Sequence, residues 1–113
     1  MLLYVKKFLY IIALSVSILD ADLQLIKKEN KDSNTTLLVI AGVHGNEPGS
    51  YFAASILATQ YKITSKNLWI VPNLNKASIR ANKRGINGDM NRKFSTLEEN
   101  DKDKNSVDTI KKI

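Results

Sequence analysis

Thr35-Thr-Leu-Leu-Val-Ile-Ala-Gly-Val-His44-Gly-Asn-Glu47-Pro-Gly49 is the stretch of this 113-residue chain that decides its fold. Residues 35–41 are apolar and β-branched with hardly any alternation, the pattern of a strand buried on both faces inside an α/β sheet. Gly42 to Gly49 then puts three glycines and a proline into eight residues, so the chain must turn sharply. Beyond the turn, Ser50 to Gln60 holds helix formers, with Phe52, Ala53, Ile56 and Leu57 spaced along one helix face. Pro48 suits the first helical turn, where its missing N–H costs nothing. Leu68-Trp-Ile-Val-Pro72 is a second apolar strand, ended by proline. Strand, turn, helix and strand make a βαβ unit. The fold class expected is α/β: the N-terminal part of a mixed or parallel β-sheet with flanking helices, incomplete within this chain.

On the amino-terminal side, Leu23 to Lys27 suits an edge strand and Lys28 to Asn34 a polar turn. Before them, Lys6 and Lys7 precede an apolar run from Phe8 to Leu19, with acids beginning at Asp20. A positive start followed by a short apolar core is the pattern of a secretory leader over residues 1–21. Cleavage after Ala21 leaves Leu19, a rather large residue, at the −3 position. The run is shorter than the roughly 20 apolar residues that span a bilayer. The expectation is an exported, periplasmic protein that starts near Asp22 and keeps no stable membrane span. On the other side, Asn73 to Phe94 lacks periodicity, and the chain is polar and charged from Ser95 to Ile113 with no turn signal to finish a domain. Residues 22–113 therefore read as the N-terminal fragment of one domain.

Composition narrows the function. Seventeen Lys+Arg against 11 Asp+Glu give a formal charge of +6. The signs alternate over Glu98 to Lys104, and no Lys/Arg stripe interleaves with aromatics, so nucleic acid is not an expected partner. The chain has no cysteine, which excludes disulfide scaffolds, Cys-zinc sites and thiol nucleophiles.

Two stretches carry chemistry. His44 and Glu47 stand three apart in a glycine-rich loop at the carboxyl end of a strand, where open α/β sheets place their sites. A neutral imidazole with a carboxylate suits a borderline metal such as zinc. Alone, that spacing also describes a surface turn. The second stretch, Arg80 to Phe94, holds Arg84, Asn91 and Arg92, donors able to grip a carboxylate. Alone, it also describes a basic surface loop.

Together, His44-Gly-Asn-Glu-Pro-Gly49 and Arg84-Gly-Ile-Asn-Gly-Asp-Met-Asn-Arg92-Lys-Phe94 resemble the zinc carboxypeptidase (funnelin) superfamily. The Arg84–Arg92 spacing is closer to its aspartoacylase and succinylglutamate desuccinylase branch. That branch shares its motif style with murein-peptide carboxypeptidases of curved and helical Gram-negative bacteria. The resemblance covers residues 35 to 94 and implies Zn2+ as cofactor, with His44 and Glu47 as its first two ligands. It further implies that Arg84 polarises the scissile carbonyl, that Asn91 and Arg92 hold the terminal carboxylate, and that Asp89 supports the loop rather than binding metal. The implied activity is hydrolysis of the C-terminal amide bond of a peptidoglycan peptide. The family's third ligand, a downstream histidine, and its general-base glutamate have no counterpart here, since His44 is the one histidine. The exact polypeptide is therefore expected to be inactive and poorly folded alone. Two alternatives stand beside this reading. One is an aspartoacylase-type N-acyl amino acid amidohydrolase, which the leader disfavours. The other is a non-catalytic remnant that binds carboxylates.

Overall fold

The computed structural model describes residues 23–113; the leader expected over residues 1–21 lies outside them. Three strands, β1 (Ile26–Lys28), β2 (Thr36–Ile40) and β3 (Asn67–Val71), form one sheet in the order β1-β3-β2. β2 runs parallel to β3, with Leu38 opposite Trp69 and Ile40 opposite Val71. β1 runs antiparallel to β3, with Ile26 opposite Ile70. The sheet is mixed, one of the two arrangements the sequence allows. Helix α1 (Pro48–Gln60) connects β2 to β3, and α2 (Lys76–Arg80), α3 (Met90–Lys93) and α4 (Lys104–Lys111) follow.

β3 is the central strand, and its alternating side chains supply both cores. Leu68 and Ile70 join Ala41 and Ala54 on the α1 side, with Val39, Leu57 and Ala58 packed around them. Val71 joins Leu74, Met90, Val107 and Ile110 on the other side. Helices thus cover both faces of the sheet, as a βαβ unit requires. Ile70 and Val107 are fully buried; truncating either to alanine removes contacts worth about 1–4 kcal/mol.

Several expectations need correction. β2 is not buried on both faces: Thr36 and Leu37 are exposed and residues 38–40 only partly covered. As the edge strand among the described residues, β2 has a neighbour on one side, and the doubly buried environment belongs to β3. The face of α1 turned to the sheet is Ala54, Leu57 and Ala58, whereas Phe52 and Ile56 are 62% and 52% exposed. The helix is apolar on more than one face, so periodicity alone could not choose. The alanines let the helix axis lie close to the sheet. The strand expected at 23–27 is shifted to Ile26–Lys28, where Lys28 caps α1 by donating to the Leu57 and Tyr61 carbonyls. The polar tail contains α4, whose Val107 and Ile110, three apart, are both buried.

Candidate active site

The two motif loops meet at the carboxyl ends of β2 and β3. After Ile40 the chain stays tied to the end of β3: Ala41 donates to the Val71 carbonyl at 2.8 Å, and the Ala41 and Gly42 carbonyls accept from the amides of Leu74 and Asn75 at 3.0 and 2.9 Å. Gly42 adopts φ +67°, a backbone state that side chains with a Cβ rarely take. Gly45 lies flat against α2, where a Cβ would come 2.0 Å from the backbone of Ser78. The Gly45 amide also donates to the Arg84 carbonyl at 3.3 Å, which joins the loops directly.

Two buried polar side chains hold this crossing in register. Asn75 caps α2 by accepting from the Ser78 amide and donates to the Val43 carbonyl at 3.3 Å. Ser78, fully buried, accepts from the Ile86 amide at 3.0 Å through its hydroxyl. Its carbonyl accepts from the Lys83 amide at 3.0 Å. Neither residue was singled out in the sequence. Polar residues in a stretch without periodicity carry no signal until the backbone groups they satisfy are located.

Asp89 is the hub of the site. Its Oδ1 lies 2.9 Å from His44 Nε2 and accepts from the Asn91 amide at 3.2 Å, capping α3. Its Oδ2 accepts from Arg84 Nε at 3.3 Å and Nη2 at 3.1 Å, with Arg92 Nε at 3.7 Å. The opposite nitrogen of the imidazole, His44 Nδ1, is 3.2 Å from Glu47 Oε2, while Glu47 Oε1 accepts from Arg84 Nη1 at 3.3 Å. The bond with His44 lowers the Asp89 pKa to about 2, Arg84 and the Asn91 amide adding to it against partial burial. The structure therefore brings His44, Glu47, Arg84 and Arg92 into one cluster. Asn91 enters it through its backbone amide.

The donor set suits a divalent ion in part. Two ligands at about 2.0–2.1 Å from a tetrahedral zinc lie roughly 3.3 Å apart. The Nδ1–Oε2 separation is 3.2 Å. A carboxylate on the other imidazole nitrogen is the partner that orients a metal-binding histidine, and Asp89 occupies that position. Because Nδ1 and Nε2 point away from one another, Glu47 and Asp89 cannot share one ion with this ring. Accordingly, no group of three or more His, Cys, Asp or Glu suited to a metal occurs among the described residues. Asp89 is thus a supporter of His44, a contact the resemblance to the family's loop aspartate did not specify.

With the geometry in place, comparison decides the family. Residues 2–113 match the sequence profile described as "Carboxypeptidase controlling helical cell shape catalytic". The chain belongs to this cell-shape carboxypeptidase family. Its fold is similar to the product-bound crystal structure of the cell shape determinant protein Csd4 from Helicobacter pylori, at TM-score 0.73 and 35% identity over 80% of this chain and 23% of that one. The tripeptide-bound structure of the same protein gives TM-score 0.73 and 34% identity over 80% and 23%. An mDAP-bound form, described as a D,L-carboxypeptidase, gives TM-score 0.71 and 37% identity over 77% and 22%. The chain spans under a quarter of the length of those proteins. No curated protein sequence matches it. Among the described residues, no helix is long and apolar enough to cross a membrane.

Proposed function

We propose that this chain carries the metal-holding and carboxylate-gripping parts of a zinc carboxypeptidase that removes the C-terminal residue of peptidoglycan peptides in the periplasm. The observation that carries the reading is the single cluster joining His44, Glu47, Arg84 and Arg92 through Asp89. The Csd4 structures bound to tripeptide and to mDAP support the substrate class, and the sequence pattern of residues 1–21, read as a leader, supports the compartment in which such peptides occur. That leader also speaks against the cytosolic N-acyl amino acid amidohydrolase.

In this reading His44 and Glu47 hold zinc, which when bound supplies Lewis-acid polarisation and a water of lowered pKa. Asp89 accepts a hydrogen bond from the N–H of His44 Nε2, which leaves the Nδ1 lone pair facing Glu47. Arg84, 53% exposed beside Glu47, is placed to donate to an oxyanion as negative charge develops. Arg92, 85% exposed, presents a planar fork to the terminal carboxylate, and the side-chain amide of Asn91 adds a donor. Fixing the chain end restricts cleavage to the last residue, the mark of an exopeptidase.

Equilibrium dialysis against zinc tests the metal-holding part. About one zinc per chain, lost in Glu47→Ala, is the expected result. A chain that retains none, or a Glu47→Ala variant that retains as much as the parent, sinks the reading.

A further inference from the structure

A second ion cluster lies behind the site, and the carboxypeptidase reading leaves it without a role. Lys93 follows Arg92 directly and closes α3. Its ammonium donates to the Asn87 carbonyl at 2.7 Å, to Asp101 Oδ1 at 2.9 Å and to Asp103 Oδ2 at 2.7 Å. An ammonium has three donors, so all are used. The side chains of Lys93 and Asp103 are only 10% and 9% exposed. Asn87 donates in turn to Asp103 Oδ1 at 3.0 Å, and the Asp103 amide donates to Asp101 Oδ1 at 2.8 Å. Burial works against the lysine's charge, but Asp103 and Asp101 outweigh it and hold the Lys93 pKa above its ordinary value.

The partners come from two segments. Asn87 lies in the turn between Arg84 and Asp89; Asp101 and Asp103 lie in the turn that enters α4. One nitrogen therefore ties both sides of the Arg84–Arg92 stretch to the α4 core. A four-residue helix has no stability of its own. α3 is held at its start by the Asp89 cap and at its end by Lys93. A buried ion cluster gains little net stability over apolar packing, so what it contributes best is a fixed geometry.

We infer that Lys93 is a positioning residue, its ammonium setting the 87–93 turn and with it the spacing of the Arg84 and Arg92 guanidiniums that receive substrate. The inference rests on the reading of Arg92 as the carboxylate anchor. Calorimetric titration of the zinc-loaded chain tests it, with a tripeptide ending in mDAP and with the same tripeptide amidated at its terminal carboxylate. In Lys93→Met the free acid binds about tenfold or more weakly, because misplacing a gripping group by an ångström has effects of that order. The amide binds as in the parent, so the acid-to-amide ratio collapses. Where Lys93→Met does not fold, Lys93→Gln/Asp103→Asn replaces the charges by hydrogen-bonded amides and leaves only Asp101, the more exposed carboxylate, charged. It gives the same loss of ratio. A merely structural role reduces both ligands alike through the folded fraction and leaves the ratio at its parental value; that result, in either folded variant, overturns the inference. Arg92→Ala separates the two ideas. If it leaves the ratio unchanged, the anchor reading fails and the inference with it. If it lowers the ratio while the Lys93 variants do not, Lys93 alone is ruled out.

Discussion

Two ion clusters share the turn between Arg84 and Lys93, and they are built in opposite ways. In the Asp89 cluster the outer members are open to solvent, Glu47 57% exposed, Arg84 53% and Arg92 85%, around the more enclosed His44. Around Lys93 the ammonium and Asp103 are nearly enclosed, and every donor has its oxygen. Similar charges therefore do different work. Exposed pairs exchange partners at little cost, which suits the roles proposed for these groups, receiving a carboxylate or an ion. An enclosed, saturated pair resists exchange and holds the backbone on which the first cluster stands.

The largest expected effect divides the clusters most sharply. Lys93→Met leaves carboxylates unpaired away from water, and urea denaturation is expected to show a loss of about 3–5 kcal/mol. Arg84→Met, by the same measurement, is expected to change stability by no more than about 1 kcal/mol. Equal losses would erase the distinction.

Next comes Asp89→Asn, which weakens the acceptor that orients His44. Zinc titration is expected to show an affinity about 10–100-fold lower with the fold intact. An unchanged affinity would leave Asp89 as a loop support only.

pH separates the clusters more gently. The Asp89 pKa is lowered from 3.8 to about 2, so its contribution is complete above 3.8 and is lost as pH falls through 2. Asp101, lowered chiefly by its bond to Lys93, follows the same direction in acid. Lys93 is raised from 10.5, so its contribution is complete below 10.5 and is lost only as pH rises beyond that value. Unfolding midpoints measured across pH should therefore fall on the acid side for both clusters and on the alkaline side for the Lys93 cluster alone.

The smallest effect is a control that belongs to neither cluster. Phe52→Ser, on the outward face of α1, should change stability by less than about 0.5 kcal/mol. A larger loss would mean that this face of α1 packs against something in solution.

Much of this was legible in the residues. The glycine-rich turn after an apolar β-branched run gave away the βαβ unit, because backbone chemistry there leaves few alternatives. His44, Glu47, Arg84 and Arg92 could be picked out because the two stretches occur together and in the order of the family they resemble; either one alone also describes a surface loop. What stayed hidden depended on long-range contact. Lys93 and Asp103 lie in stretches that read as solvated charge, and nothing local reveals that they bury one another. Asn75 and Ser78 serve backbone groups many residues away. The choice of face on α1 needed the sheet itself, since Phe52 and Ile56 fit the helical period as well as Ala54 and Leu57 do.

The central claim is that one imidazole serves two masters, a carboxylate on Nε2 and a metal on Nδ1. His44 is the sole histidine, so nitrogen-detected NMR of its ring gives one unambiguous pair of signals. On addition of one equivalent of zinc, the account predicts that the Nδ1 resonance moves to a metal-bound position while Nε2 keeps its proton, still bonded to Asp89. If both nitrogens keep their positions with zinc in excess, or if Nε2 is the one that loses its proton, the account is contradicted.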